Sequence, residues 1–181
     1  MNRCLSRVKL LAVASALTCV FTHTAAAQGR GAAQATPAAP AAPATPNAPV
    51  PGPTFAEAQK ALASSWAAAD KMSVKVSCAV VDSRGDLIAL GRMDGARFLT
   101  TDVARGKALT SALFGQPSGG LAQFGASPFF QNLNSAAQGR IYPIQGAVPI
   151  MRNNQVLGAI GCSGATAQQD EDAAKAGLAT F

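Results

Sequence analysis

Histidine is almost absent from this chain: His23 is the only one in 181 residues. Histidine is the commonest metal ligand and the commonest general base near neutral pH. Tryptophan and tyrosine occur once each, cysteine four times, and only 13% of residues are charged. The phosphate-binding loop, the G-x-G-x-x-G fingerprint and the H-E-x-x-H zinc motif are all missing. The long apolar run, Leu10 to Phe21, falls short of the ~20 residues a bilayer span needs.

The place of that one histidine makes its scarcity decisive. Arg3, Arg7 and Lys9 precede the apolar run, and Ala25-Ala26-Ala27 follow it as a small-residue cleavage site. This layout predicts a secretory signal peptide over residues 1–27, cut near Ala27, and a periplasmic or secreted product. Lipidation at Cys19 fits less well, because Thr18 is not the small residue such a site resembles. Cleavage removes His23, Cys4 and Cys19. A Ser-His-Asp triad, a Cys-His pair and histidine-built zinc sites then have no histidine, and two cysteines cannot make a Cys₄ site. We therefore expect no catalytic or metal-ligating set from these patterns.

Residues 28–53 are almost entirely Ala, Pro, Thr and Gly, with no apolar periodicity. They read as a disordered or polyproline-like linker, either a tether or a passive tail. Residues 54–181 are long enough for one domain with a real core. The formal charge of +6 includes Arg3, Arg7, Lys9 and Arg30. Without them the basic residues barely exceed the acidic ones and lie scattered among them. No concentrated basic face for nucleic acid is present.

Cys78 and Cys162 remain. In an oxidising compartment they are a candidate disulfide; the alternative is two small buried apolar residues in strand-like runs.

Element signals run through the whole domain. Thr54 and Glu57 fit a capping box ahead of a helix reaching about Ala69. "VKVSCAVV" alternates as a strand, "DSRGD" supplies a turn, and "LIALGRM" completes a hairpin. A second helix starts at Thr100 or Thr101 and stops at Gly115. Ser127 and Pro128 open a short helix. "IYPIQGAVPI" is strand-like but interrupted by Pro143, Gly146 and Pro149. Asn153-Asn154 makes a turn into the buried strand "QVLGAIGCSG". Thr166 and Gln169 form a second capping box before the last helix. This order predicts an α+β domain with an antiparallel sheet.

The segments "VSCAVVDSRGDLIALGRMDGA", "ARGKALTSALFG", "GAVPIMRNNQVLGAIGCSG" and "QDEDAAKAG", in that order, resemble the GlcG/HbpS family. The C-terminal domain of PduO-type corrinoid adenosyltransferases is similar. The resemblance spans residues 54–181. It implies a profilin-like fold, with a five-stranded antiparallel sheet flanked by helices, and assembly into homo-oligomers. It also implies binding of haem or a related tetrapyrrole in iron or redox handling, with an envelope sensor or other protein as partner. This chain departs from the family in having Gly146-Ala147 before Val148-Pro149, a cysteine at 162 where an aliphatic is usual, and no histidine in the domain. A histidine haem ligand therefore does not carry over.

Haem iron also accepts Tyr, Met or Cys. Met93 and Tyr142, near strand ends, are the leading candidates; Met72, Met151, Cys78 and Cys162 stand behind them. Arg97, Arg105, Lys107, Arg140 and Arg152 suit propionates, and Arg105 and Lys107 lie in the family-like "ARGKALT". Ser163, Gly164 and Thr166, at the last helix start, suit an anion, although Asp170 to Asp172 oppose one. Asp82, Asp86 and Asp94 read as polar turn residues rather than catalytic acids. The leading expectation is an exported haem-binding protein without a histidine axial ligand. The alternative is an enzyme or accessory protein acting on a small hydroxy acid or aldehyde, in glycolate or diol metabolism. A third is an adaptor module.

Overall fold

Thr54 starts the folded domain by closing a capping box. Its hydroxyl accepts the Glu57 N–H at 3.2 Å, and its own N–H donates to Glu57 Oε2 at 2.7 Å. Those bonds from Thr54, its N–H first, hold the exposed Glu57 carboxyl below the usual glutamate range. The cap is at full strength above the ordinary glutamate pKa and is lost as pH falls through the lowered value. A computed structural model describes residues 52–181 of the chain. The signal peptide, its cleavage near Ala27, His23, Cys4, Cys19 and nearly all of the linker lie outside the described residues.

Helix α1 (Phe55–Lys71) leads into β1 (Ser77–Asp82), and a tight turn returns the chain as β2 (Leu87–Arg92). Helix α2 (Thr100–Phe114), a 3₁₀ segment at Ser118–Phe124 and α3 (Pro128–Ala136) follow. Strands β3 (Ala147–Arg152) and β4 (Gln155–Ser163) form a second hairpin, and α4 (Ala167–Leu178) ends the fold. The sheet order is β2-β1-β4-β3, every pair antiparallel.

The α+β class is as expected. The strand count is a correction: the described residues form four strands, not five. The stretch read as strand-like from Ile141 pairs only from Ala147 onward. Pro143 has no N–H to donate, and Gly146 at φ 135 turns the chain before the ladder begins. Ile141 is buried instead against Leu121 and Phe130.

Both faces of the sheet are covered, so β1 is buried along its whole length. Val76, Val80 and Ile160 pack towards Leu62 of α1 and Ala173 and Ala174 of α4. On the other face Val81 and Ala159 meet Ala108 and Ala112 of α2. The approach of α2 to β4 depends on Gly161: a Cβ there would lie 2.7 Å from the Ala104 carbonyl and 2.8 Å from the Ala108 nitrogen. Backbone cannot yield as a side-chain tip can. Gly161→Ala is therefore expected to lower stability by about 1–3 kcal/mol in urea unfolding; an unchanged midpoint would contradict this packing.

Cys78 and Cys162 face each other across β1 and β4, with Cα atoms 4.1 Å apart. Their sulfurs are bonded at 2.02 Å, and both residues are fully buried.

Candidate functional site: a cationic groove over helix α2

The site begins with a glycine inside a helix. Gly106 occupies the middle of α2, where glycine weakens a helix. A Cβ at this position would overlap the Tyr142 ring and come within 3.0 Å of the Arg140 carbonyl. Glycine thus lets the 138–142 loop lie directly on the helix. Thr110 fastens it: its hydroxyl accepts the Tyr142 N–H at 2.8 Å and donates to the Gly106 carbonyl at 2.7 Å. Behind the loop, Gln138 and Gly139 are both left-handed, at φ 56 and 73. Asn134 accepts the Gly139 N–H on its carbonyl and the Ile141 N–H on its side chain, both at 2.8 Å.

Between α2 and this loop lies a cavity of about 240 Å³, lined by Asp102, Arg105, Leu109, Gln138, Arg140 and Tyr142, with Gly85 of the β1–β2 turn at its side. A second hollow of about 370 Å³ adjoins it, sharing Gly85, Leu109 and Arg140 and adding Arg84 and Asp86 beside Leu113, Leu133, Ala136 and Ile141. The shared residues join them into one groove, with Arg105 and Tyr142 in the first hollow, Leu113, Leu133 and Ile141 in the second, and Arg140 and Leu109 in both. No ion pair engages Arg105 or Arg140 among the described residues; the Arg140 Nε donates to the Ala137 carbonyl at 2.9 Å. Two guanidinium groups outside any ion pair, with a phenol beside them, outnumber Asp102 in this lining and suit a carboxylate.

Of the residues singled out from sequence, Arg105, Arg140 and Tyr142 come together here. Arg97 and Gly164 lie elsewhere, in a separate hollow of about 490 Å³ with Lys75 and Gln169. Met93 lines neither hollow; it packs on the α1–α4 side of the core. Arg152 lies 3.9 Å from Glu57 on α1.

Three expectations are corrected. Lys107 does not reach any ligand surface. It is 3% exposed, and its Nζ donates to Asp170 Oδ2 at 2.8 Å and to the Cys162 carbonyl at 3.2 Å. Ser163, Gly164 and Thr166 do not form one open anion site: Ser163 is buried, and only Gly164 and Thr166 reach the hollow beside Arg97, where the chain supplies its own acceptors. Asp170 Oδ1 takes the Ala165 N–H at 3.0 Å, and Gln169 Oε1 takes the Thr166 N–H at 3.2 Å. Cys78 and Cys162, joined to each other, offer no thiolate. The aspartates of the first hairpin shape its turn: Asp82 Oδ1 accepts the Arg84 and Asp86 N–H groups at 2.8 and 2.9 Å.

Sequence reasoning missed Gly85, Gly106, Asp102, Leu109, Gln138 and Gly139. Gly106 was findable, since a lone glycine in a helical pattern marks a close approach.

The fold and groove define an α+β domain with an arginine-bearing hollow over one helix. The family described as "Haem degrading protein HbpS-like" matches residues 54–179, and the chain belongs to that family. An uncharacterized 15.0 kDa protein of Citrobacter freundii is 34% identical over 131 residues, covering 71% of this chain and 91% of that one. The corrinoid adenosyltransferase PduO of the same organism is 28% identical over 116 residues, covering 62% of this chain but only 34% of its own length. The crystal structure of a double mutant of Streptomyces reticuli HbpS superposes with a TM-score of 0.66 at 29% identity, covering 81% of this chain and 97% of that chain.

Proposed function

We propose that this protein is an exported haem-binding member of the HbpS-like family, holding the tetrapyrrole in the groove over α2. The observation that carries the reading is the groove's uneven polarity: Arg105 in one hollow, Leu113, Leu133 and Ile141 in the other, and Arg140 and Leu109 where the two meet. A haem has that same polarity, with two propionates on one edge of an apolar macrocycle. The residues present fit the group at three points. The arginines would receive the propionates, the leucines would cover the ring, and the Tyr142 phenol would be the oxygen available to iron. No histidine exists between residues 54 and 181 to do so. Bound haem would bring redox-active iron; the chain's own part is to bind and orient it. Export by the 1–27 signal belongs to the proposal and agrees with a buried disulfide, which an oxidising compartment preserves. A homo-oligomer and an envelope sensor as partner complete it.

Hemin titration tests this. The wild-type protein should shift the Soret band at micromolar concentration. Arg105→Ala and Arg140→Ala should each raise the apparent Kd about tenfold, the effect of losing one charge-assisted contact. Absence of any Soret change in the wild type would remove the proposal.

One observation favours a second reading. The cationic hollow alone, about 240 Å³, is the size of a small acid rather than a tetrapyrrole. A hydroxy acid would place its carboxylate on the arginines and its hydroxyl on Tyr142 or Asp102. Calorimetric binding of glycolate by a protein indifferent to hemin would select it.

A further inference from the structure

The linker sequence has a period. Prolines stand at 37, 40, 43, 46 and 49, one at every third residue, and no charged residue follows Arg30 until the domain begins. A polyproline II helix has three residues per turn, so this spacing sets every proline along one edge. An uncharged proline ridge is the ligand that aromatic-lined apolar grooves accept. The domain carries a groove of that chemistry, away from α2. It encloses about 580 Å³ between α1 and β2, with Phe55, Leu62 and Trp66 on one wall and Leu87 and Leu90 on the other. Gln59 apart, its lining is hydrophobic, and no charged side chain lines it. Phe55, Leu87 and Leu90 are 60%, 42% and 37% exposed, which leaves apolar surface to cover. The Trp66 indole N–H is buried without an acceptor among the described residues. A buried donor left unpaired is costly, and polyproline II carries carbonyls that its own backbone does not use. A small turn of the indole would pair the two.

Attachment and length select the occupant. The linker joins the domain at one end of this groove, since Phe55 is both the first residue of α1 and part of the lining. Gly52 lies in a bend and Pro53 is buried, so the chain can reverse there and run back along α1. From Phe55 to Trp66 the helix rises about 16 Å. Residues 44–49 in polyproline II span about 19 Å. The lengths match, and tethering beside the groove gives the segment an effective concentration in the millimolar range, enough to fill a weak site. We propose that residues 44–49 dock in the α1–β2 groove of their own chain, with Pro49 towards Phe55 and Pro46 towards Trp66. The proposal is independent of the haem reading, which concerns the face over α2.

Trp66 is the only tryptophan in the chain, so its fluorescence reports the groove. The test is acrylamide quenching of Trp66 in the full chain with no ligand added. Pro46→Gly with Pro49→Gly removes the ridge and loosens the segment, and should raise the quenching constant about twofold. Pro37→Gly with Pro40→Gly, upstream of the docked residues, should leave it unchanged. A peptide of residues 44–53, added to the first variant at millimolar concentration, should restore the protection. Protection in the wild type should be the same from low to tens of micromolar protein, because the segment docks in its own chain. Melting temperatures of both variants establish that they are folded. Equal quenching in the first variant and the wild type, an equal rise in both variants, or a peptide that protects nothing would each overturn the inference. So would protection that grows with protein concentration, the mark of a second copy in the groove.

Discussion

Lys107→Ala is expected to cost the domain about 3–5 kcal/mol. The lysine and its partner Asp170 are 3% and 4% exposed in their side chains, 2.8 Å apart, joining α2 to α4. Gly146 covers them: a Cβ there would lie 2.6 Å from the lysine Nζ. Removing the ammonium leaves an ionised carboxylate in the interior with only the Ala165 N–H to satisfy it. Such a loss is a large part of the 5–15 kcal/mol that typically holds a domain together. Desolvation makes the pair itself a poor source of net stability, so removing both charges is milder. Lys107→Met with Asp170→Leu should be less destabilised than Lys107→Ala, although the Ala165 N–H then lacks its acceptor. Urea unfolding of the three proteins measures this. A loss below about 1 kcal/mol for Lys107→Ala would mean that the pair is solvated rather than buried.

Replacing both cysteines, Cys78→Ala with Cys162→Ala, is expected to remove about 4–5 kcal/mol. The bond closes a loop with a sequence separation of 84, and the loop-closure entropy returned to the unfolded chain grows with the logarithm of that length. Cross-strand placement in the middle of the sheet also makes the two sulfurs part of the core. Reductant should act slowly on the native protein, since neither residue is exposed, and quickly once urea opens the sheet. Guanidinium or urea midpoints of oxidised wild type and double variant, compared side by side, check the magnitude. Equal midpoints would show that the bond contributes nothing.

Local chemistry was readable in the sequence where it is settled by neighbours. Thr54 with Glu57 and Thr166 with Gln169 cap their helices as their spacing predicts. Gly115 ends α2 in the left-handed conformation, and Asn153-Asn154 turn between β3 and β4 at φ 51 and 59. The start of α2 shows the limit. The helix begins at Thr100 as expected, yet the Thr100 hydroxyl turns inward to the Arg97 carbonyl and Ser77, and left-handed Leu99 occupies the cap position. A hydroxyl's partner across the fold has no local signature.

The site was half legible for the same reason. Arg105 and Tyr142 carry the right chemistry, but their meeting is set by Gly106 and by Thr110 reaching Tyr142 over 32 residues. Lys107 was misplaced because its partner lies 63 residues away. Its position on the buried Ala104–Ala108–Ser111 side of α2 was the available warning. The missing fifth strand turns on Pro143 and Gly146, which were noticed as interruptions but not as the strand's end.

The proposed haem site over α2, beside Arg105 and Arg140, can be located directly. Ferric haem is paramagnetic and broadens amide signals near the iron, whereas zinc protoporphyrin of the same shape does not. Comparing amide NMR spectra of the protein with each porphyrin therefore locates the metal. The account predicts selective loss of signals from residues 105–113 and 138–142, with the α1 amides around Trp66 untouched. Broadening centred on α1 and β2, or on the hollow beside Arg97, would contradict it.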